Sequence, residues 1–293
     1  MNLYSAKEMT ALLERHNFFF KKKLGQNFLM NESIACRIAQ ASLDTMPDHK
    51  KKLALEIGPG AGSLTLQLTQ LFDQVLALEI DPHLIAVLDE SLADCENVSV
   101  INTDALVYPY QEILKNFPDY AIAVCSNLPY YITSEVIMRL LESGLPITSI
   151  TVLIQKEAAT RLVSKPGEAD YGAITASVSY RAQAQKLFTV GPGNFIPRPK
   201  VDSAVLQLIP RTNPAVNVLD EALFLKVIRA AFGARRKTLS NALFTAFQDR
   251  FSKEEILSAL IDSSVDPQRR GETLTLEEFA AISDHMLKKR KEV

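Results

Sequence analysis

The sequence predicts an α/β protein in which a doubly wound parallel sheet is followed by a small all-helical domain. Three observations lead to this prediction. From residue 53 onward, short strand-like runs alternate with stretches whose apolar residues recur at helical spacing, as in a parallel sheet flanked by helices. The first of these runs ends in a glycine-rich turn. Beyond Ile209 only the helical periodicity remains.

The predicted strands are short runs rich in Val, Ile, Leu and Ala. They cover residues 53–57, 75–80, 98–102, 121–126, 150–155, 185–190 and 203–208. The helices that alternate with them cover residues 63–72, a stretch beginning at 81–82, 134–143, a stretch beginning at 156, and 173–181. Asp81 and Pro82 are an N-cap residue and a first-turn proline. Gly144 follows the apolar face of the helix at 134–143 and marks its end.

A domain boundary is expected near residue 212. The chain has 293 residues, which exceeds the usual size of one domain. Pro210, Asn213 and Pro214 interrupt the strand–helix alternation. Beyond them, helical patterns cover residues 221–231, 236–247, 253–261 and 276–289. We therefore predict an α/β domain over residues 1–211, with an N-terminal arm at 1–30, and a helical domain over residues 212–293.

The composition is that of a folded globular protein, with 47% hydrophobic and 23% charged residues. No run approaches the roughly 20 apolar residues that a membrane span needs. The N-terminus lacks the pattern of a signal peptide. The three cysteines have no CxxC spacing, which argues against a disulfide framework and a zinc site. We expect a cytoplasmic protein with no membrane partner and no metal site.

The glycine-rich turn has the strand–loop–helix context of a nucleotide-binding loop. In LEIGPGAGS the glycines Gly58, Gly60 and Gly62 form a GxGxG pattern. A dinucleotide fingerprint would place its third small residue at position 63, where Ser stands, so this alternative is weakened but open. No lysine of the Walker type follows, which disfavours a nucleoside triphosphate. A tight turn without a ligand is the remaining alternative.

Carboxylates follow the next two predicted strands. Glu79 stands at the end of the second strand, where doubly wound folds place an acid on ribose hydroxyls. Asp104 holds the equivalent position after the third strand, although taken alone it could be an ordinary helix cap. Polar features at three successive strand ends indicate a nucleoside pocket. S-adenosylmethionine fits as an adenosine-bearing ligand without a large phosphate group.

The fourth strand is followed by NLPYYI at residues 127–132. Pro129 restricts Leu128 to extended geometry and removes a backbone donor. Asn127 offers a side-chain oxygen, and Tyr130 offers a flat aromatic face. Alone, this stretch could be a proline turn that ends a strand. After three ligand-binding strand ends, a reaction site is the better interpretation.

Methyl transfer to the amino group of adenine requires this combination of groups. The lone pair of that nitrogen is delocalised into the ring, which makes it a poor nucleophile. Acceptors on its N–H groups, from the Asn127 side chain and the Leu128 carbonyl, favour a pyramidal nitrogen and stabilise the charge that develops. Stacking on Tyr130 would hold the extruded base. Tyr131 is expected to pack or to make a secondary RNA contact.

Seven motifs in order resemble those of the ribosomal RNA adenine N6-dimethyltransferase family, and most closely its branch that acts on the small subunit. They are KKLGQNFL at 22–29, LEIGPGAGSLT at 55–65, LEID at 78–81, TDAL at 103–106, NLPYYIT at 127–133, NFIPRPKVDSAV at 194–205 and FGARRKTLSNAL at 232–243. Together they span about residues 21–245. Two positions depart from the family: Tyr131 stands where Asn is usual, and Arg198 replaces a more proline-rich stretch.

The resemblance implies a Rossmann-like S-adenosylmethionine-dependent methyltransferase domain and a helical domain that binds RNA or the ribosome. It implies that two adjacent adenosines in the 3′-terminal hairpin of 16S rRNA are dimethylated within an immature 30S subunit. S-adenosylhomocysteine would be the product, and the enzyme is expected to act as a monomer.

The resemblance also implies roles for individual residues. The cofactor would be held by Gln26, Asn27, Leu29, Gly58, Gly60, Glu79, Ile80, Asp104, Ala105 and Asn127. The reacting base would meet Asn127, Leu128, Pro129, Tyr130 and Phe195, with Phe195 opposite Tyr130 unless it is an ordinary core residue. Phosphate contacts would come from Lys21, Lys22, Lys23, Arg198, Lys200, Arg235, Arg236 and Lys237, each of which could also be an ordinary solvated cation.

Three alternatives stay open. The protein could be a ribosome-assembly factor that mainly binds immature subunits, with methylation secondary. It could be a large-subunit rRNA adenine methylase of the same superfamily. A DNA adenine methyltransferase would share the chemistry but would need a target-recognition region, and only the short helical domain follows residue 212.

Overall fold

The structure is a computed structural model that describes residues 1–21, 24–234 and 236–289. The N-terminal half contains, in chain order, α1 (Ala6–Arg15), β1 (Phe28–Leu29), α2 (Glu32–Leu43), β2 (Lys51–Ile57), α3 (Ser63–Leu71), β3 (Gln74–Glu79), α4 (Pro82–Ser91), β4 (Val98–Asn102), α5 (Gln111–Asn116), β5 (Tyr120–Asn127), α6 (Thr133–Leu141) and β6 (Ile147–Gln155). The remainder contains α7 (Lys156–Val163), α8 (Ala173–Arg181), β7 (Ala182–Val190), β8 (Phe195–Ile196), β9 (Ser203–Pro210), α9 (Glu221–Gly233), α10 (Leu239–Phe247), α11 (Lys253–Asp262) and α12 (Leu276–Lys289).

The main sheet has seven strands in the order β4-β3-β2-β5-β6-β9-β7. Strands β4, β3, β2, β5 and β6 are parallel to one another, which confirms the predicted doubly wound core. Strand β9 instead runs antiparallel to β6. Ser203, the first residue of β9, lies opposite Gln155, the last residue of β6, so the two strands run in opposite directions. The alternation of runs along the sequence does not encode this direction.

The strand order reverses between β2 and β5, because β3 and β4 lie on one side of β2 whereas β5 and β6 lie on the other. Both central strands are buried along nearly their whole length, as expected for strands covered by helices on both faces. In folds of this kind ligands bind outside the carboxyl ends of the strands at such a switch point. The first residues beyond the two ends are Gly58 and Leu128.

The chain before residue 51 contains three elements that the sequence does not predict. No element is predicted before residue 53, yet α1, β1 and α2 precede it. Strand β1 contains two residues and pairs antiparallel with β8, so that Leu29 lies opposite Phe195. A two-residue strand has no periodicity of its own, and its partner lies more than a hundred residues away in the sequence. Tertiary pairing therefore determines this element.

Clustering of the backbone divides the chain into two compact units. The first contains Met1–Ala159 and Ala184–Pro210, and the second contains Thr160–Gln183 and Arg211–Val293. The change at residue 211 lies next to the boundary expected near 212. Residues 160–183 belong to the second unit, whereas the sequence places them in the α/β domain. Their side chains Tyr171, Ala176 and Tyr180 are buried in the core of the helical unit with Phe224 and Phe279.

Where the structure describes the chain, no helix is both long and apolar enough to cross a bilayer.

Candidate active site

A cavity of about 250 Å³ lies within the first unit at the carboxyl ends of the parallel strands. Each of four neighbouring strands contributes: Gly58 follows β2, Glu79 ends β3, Asp104 follows β4, and Asn127 ends β5. Residues 24–29 of the N-terminal arm line the cavity as well. Features that are spread over a hundred residues of sequence therefore meet in one pocket.

Most of the predicted site residues come together there. The cavity is lined by Gln26, Asn27, Leu29, Gly58, Gly60, Glu79, Ile80, Asp104, Ala105, Asn127, Leu128, Pro129 and Tyr130. Phe195 is the exception, since it does not line the cavity and is only 4% exposed. Its pairing with Leu29 across β1 and β8 places it in a core cluster with Ile34 and Val205. The sequence left two alternatives for Phe195, a place beside the target base and a place in the core, and its burial supports the core.

The glycine-rich loop brings its backbone close to the cavity. Gly58 and Gly60 have φ angles of +68° and +63°, in the left-handed region that side chains rarely adopt. A Cβ atom at Gly60 would lie 3.0 Å from the ring of Phe28, a tight contact that would require the ring to shift. Glycine is required at Gly60 both for its backbone angle and because the arm packs against it.

The carboxylate of Glu79 is buried beside this loop. Oε2 accepts a hydrogen bond from the Gly60 amide at 3.3 Å, and Oε1 accepts one from the Asp81 amide at 2.8 Å. Burial raises the pKa of Glu79 to about 7, although these backbone donors counteract it. The carboxylate is thus held by backbone amides at the cavity wall, in place to accept hydrogen bonds from a ligand.

Glu56 is a cavity residue that the sequence reasoning missed. It is 1% exposed, and its Oε2 atom has no hydrogen-bond partner among the described residues. The hydroxyl of Ser63, also at the cavity, has no partner there either. Burial, together with the nearby charge of Glu79, raises the pKa of Glu56 to about 8. A carboxylate inside the apolar run LALEI is a detectable signal, because buried acids are rare unless a partner stabilises them.

The raised pKa of Glu56 predicts how stability depends on pH. Its pKa rises from 4.5 to about 8 on folding, so between these values the folded chain binds more protons than the unfolded chain. The free energy of unfolding of the ligand-free protein should therefore fall as pH rises from about 4.5 to about 8, with a slope of at most about 1.4 kcal/mol per pH unit for one proton. Urea unfolding at intervals from pH 5.5 to 8.5 measures this slope.

Glu56→Gln should about halve the slope below pH 7, where Glu79 with its pKa of about 7 contributes as well, and should remove most of it between pH 7 and 8. The matched change of the exposed Glu96, Glu96→Gln, should leave the slope as in the wild type. A Glu56→Gln protein whose stability falls as steeply as that of the wild type would contradict this assignment.

Asn127 is oriented by the N-terminal arm. Its Nδ2 donates a hydrogen bond of 2.8 Å to the backbone carbonyl of Asn27, which identifies the nitrogen end of the amide and leaves Oδ1 as the acceptor. The amide of Leu128 bonds to the carbonyl of Leu153, but no donor in the described parts of the chain bonds to the Leu128 carbonyl. These two consecutive residues, which both line the cavity, therefore each carry an acceptor oxygen with no donor among the described residues.

The two tyrosines of the motif have different environments. The hydroxyl of Tyr130 lies 2.8 Å from Oγ of Ser203, a fully buried residue at the start of β9 that the sequence reasoning did not single out. This contact fixes the far end of the half-buried Tyr130 ring. Tyr131 is 53% exposed, and its ring lies against Gly25 of the arm. The ring of Tyr130 is therefore more firmly positioned than that of Tyr131.

The predicted phosphate contacts divide into three groups. The ammonium group of Lys21 pairs with the buried carboxylate of Asp81 at 2.8 Å, a contact that the sequence does not predict. The side chains of Arg198 and Lys200 in the first unit are exposed, as are those of Arg236 and Lys237 in the second. Lys22, Lys23 and Arg235 lie outside the described residues.

Comparison with known proteins gives consistent results. The family profile "Ribosomal RNA adenine dimethylase" matches residues 17–283. A "Ribosomal RNA small subunit methyltransferase A" of Shouchella clausii is 44% identical over 276 residues, which covers 94% of this chain and 92% of the relative.

Two solved structures resemble most of the chain. A dimethyladenosine transferase from Plasmodium falciparum superposes with a TM-score of 0.72 at 24% identity, covering 87% of this chain and 95% of that one, which supports the fold. The 23S rRNA methyltransferase ErmE superposes with a TM-score of 0.64 at 25% identity, covering 89% of this chain and 99% of that one. The predicted Rossmann-like α/β fold with a helical C-terminal region is confirmed.

Proposed function

Because this chain belongs to the ribosomal RNA adenine dimethylase family, we propose that it uses S-adenosylmethionine to dimethylate N6 of adenosines in small-subunit ribosomal RNA. The observation that carries this proposal is the pair of acceptors formed by Asn127 Oδ1 and the Leu128 carbonyl, next to the half-buried ring of Tyr130. The high identity to relatives named for the small subunit supports this choice of substrate. The substrate adenosines would be two adjacent ones in the 3′-terminal hairpin of 16S rRNA within an immature 30S subunit.

The residues of the cavity fit the cofactor. Glu79, whose carboxylate already accepts two backbone amides, would accept the ribose hydroxyls, and Asp104 would lie at the adenine. The unpartnered Glu56 oxygen would accept the ammonium group of the methionine part. The positive φ angles of Gly58 and Gly60 allow the backbone to approach the ligand closely. When bound, S-adenosylmethionine supplies an electrophilic methyl group on a sulfonium centre.

Asn127 and Leu128 act on the acceptor nitrogen. By accepting its two N–H hydrogens, the Asn127 Oδ1 atom and the Leu128 carbonyl draw the amino group out of conjugation and make its lone pair available. They also stabilise the positive charge on nitrogen as the new bond forms. The nitrogen loses one proton after each transfer, so two N–H groups are present in the first transfer and one in the second. Tyr130 holds the extruded adenine by stacking and stabilises the same charge through its ring face.

RNA contacts are proposed for the exposed cations Arg198 and Lys200 on the first unit and Arg236 and Lys237 on the second. Lys and Arg contacts to phosphates position a folded RNA without reading its sequence. The helical unit, whose core is separate, would thus serve in binding the ribosomal subunit while the α/β unit catalyses transfer. The protein would act as a monomer.

Transfer of labelled methyl groups from S-adenosylmethionine tests the substrate class. Purified unmethylated small subunits, large subunits and double-stranded DNA should be compared under one salt condition. Label is expected on the small subunits alone. Label only on large-subunit RNA would favour the large-subunit alternative, and label on DNA would contradict the proposal.

A role as an assembly factor that mainly binds immature subunits is the second candidate, which the exposed cations of the helical unit support. Asn127→Ala separates the two roles, since it removes an acceptor and leaves these cations in place. If subunit binding and maturation persist without methylation, the binding role is independent of catalysis. Concurrent loss would contradict an independent binding role.

A further inference from the structure

Asp81 is a buried carboxylate just beyond the end of strand β3, and both of its oxygens accept hydrogen bonds. It is 1% exposed and caps helix α4 by accepting the amide of His83. Oδ1 also accepts Lys21 Nζ at 2.8 Å, and Oδ2 accepts Gln26 Nε2 at 3.0 Å. A helix cap needs only one of these contacts. The other two join helix α4 to the N-terminal arm.

The arm itself is arranged around this contact. The amide of Lys21 donates to Oε1 of Gln26 at 2.8 Å, so that both residues reach Asp81 as one unit. The next residue, Asn27, accepts the amide of Asn127. The arm is therefore tied to the ends of two strands, at Asp81 beyond β3 and at Asn127 in β5, and its residues 24–29 form part of the cavity wall between these ties.

Asp81 also connects the arm to the proposed ribose site. Its backbone amide donates to Oε1 of Glu79 at 2.8 Å, so the carboxylate that holds the arm and the amide that holds Glu79 belong to one residue. Burial alone would raise the pKa of Asp81, but hydrogen bonds from Lys21, His83 and Gln26 outweigh it and hold the pKa at about 2. The group is thus charged near neutral pH, and a buried charge is costly to leave unpaired.

We propose that Asp81 is a positioning residue that clasps the N-terminal arm against the cavity through Lys21 and Gln26 and thereby slows release of the cofactor. The proposal rests on the proposed function insofar as the ligand of the cavity is S-adenosylmethionine. Residues 24–29 of the arm form part of the cavity wall, so a bound ligand dissociates more slowly while the arm is held to Asp81. Loss of the clasp shifts the arm toward a detached state and reduces affinity mainly through the dissociation rate.

Two substitutions separate the clasp from the helix cap. Asp81→Ser keeps a side chain that caps helices well but removes the carboxylate. Lys21→Gln leaves Asp81 and its cap untouched and removes only the cation. Lys115→Gln, which removes the lysine of an ion pair with Glu112 and changes no residue that lines the cavity, is the matched control. Lys21→Arg keeps the charge, so its hydrogen exchange and ligand dissociation should match those of the wild type.

The first measurement uses ligand-free full-length protein and follows hydrogen exchange of the backbone amides in residues 24–29. Lys21→Gln and Asp81→Ser should speed this exchange about tenfold, whereas Lys115→Gln and Lys21→Arg should not. The double variant should be no faster than Asp81→Ser, because the substitution at Asp81 already removes the contact with Lys21. Unchanged exchange in Lys21→Gln, or additive effects in the double variant, would overturn the proposal.

The second measurement is the binding of S-adenosylhomocysteine, followed by calorimetry and stopped-flow fluorescence. The Kd should rise about tenfold in Lys21→Gln and Asp81→Ser through a faster dissociation rate, with the association rate unchanged or higher. Equal dissociation rates in wild type and Lys21→Gln would overturn the clasp. If the wild type itself binds no S-adenosylhomocysteine, the proposed function fails, and the exchange measurement still decides whether Asp81 holds the arm.

Discussion

Asn127→Ala is expected to lower kcat for methyl transfer to small subunits about 10²- to 10³-fold, the usual loss when one preorganised electrostatic contact to a reacting group is removed. The substitution deletes Oδ1, one of the two acceptors for the amino group of adenine. It also deletes the donor to the Asn27 carbonyl, so some loss of cofactor affinity should accompany the effect. Single-turnover kinetics at saturating S-adenosylmethionine isolate the chemical step.

Two companion variants sharpen this prediction. Asn127→Asp keeps an acceptor at the amine but places a carboxylate oxygen against the Asn27 carbonyl, and it should fall between wild type and Asn127→Ala. Asn116→Ala removes an exposed asparagine at the end of α5 and should leave the rate unchanged. A single-turnover rate in Asn127→Ala within threefold of wild type would contradict the role of Oδ1 in catalysis.

Tyr130→Ala is expected to reduce kcat/KM for small subunits about 10- to 100-fold, because stacking of a base on an aromatic ring contributes about 1–3 kcal/mol. Tyr130→Phe keeps the ring and loses only the hydroxyl contact with Ser203, so its loss should be a few-fold. Initial rates over a range of subunit concentrations distinguish the two variants.

Tyr131→Ala is the matched control for the second aromatic of the motif. Its ring is more than half exposed and has no hydrogen-bonded anchor comparable to Ser203, so its removal should cost far less than removal of Tyr130. Equal losses in Tyr130→Ala and Tyr131→Ala would show that the stacking role was assigned to the wrong ring.

Much of the site could be predicted because the ends of the strands can be recognised from local sequence patterns. Each of the first four strands of the parallel core is a short apolar run, and the residue type that follows it marks the cavity: glycine after β2, an acid at the end of β3 and after β4, and Asn127 at the end of β5. Parallel strands bring these ends to one edge of the sheet, so local signals were sufficient to assemble the pocket.

The parts that could not be predicted depend on contacts between distant segments. Phe195 resembles a stacking residue in sequence, yet its pairing with Leu29 buries it. Lys21 lies in a basic run that gives no sign of its ion pair with Asp81. Helix α8 follows the strand–helix alternation of the first domain, while its apolar residues pack in the core of the second unit. In each case the packing or pairing of the residue depends on a segment far away in the sequence, and no local pattern identifies that segment.

The central claim is that the acceptor pair at Asn127 and Leu128 directs dimethylation of adenine in small-subunit RNA. Nucleoside mass spectrometry of RNA recovered from methylated small subunits, with mapping of the modified fragment, tests this claim most directly. The wild type should produce N6,N6-dimethyladenosine at two adjacent positions near the 3′ end, and Asn127→Ala should produce almost none. Methyl groups on another atom or at another site, or dimethyladenosine formed equally well by Asn127→Ala, would contradict it.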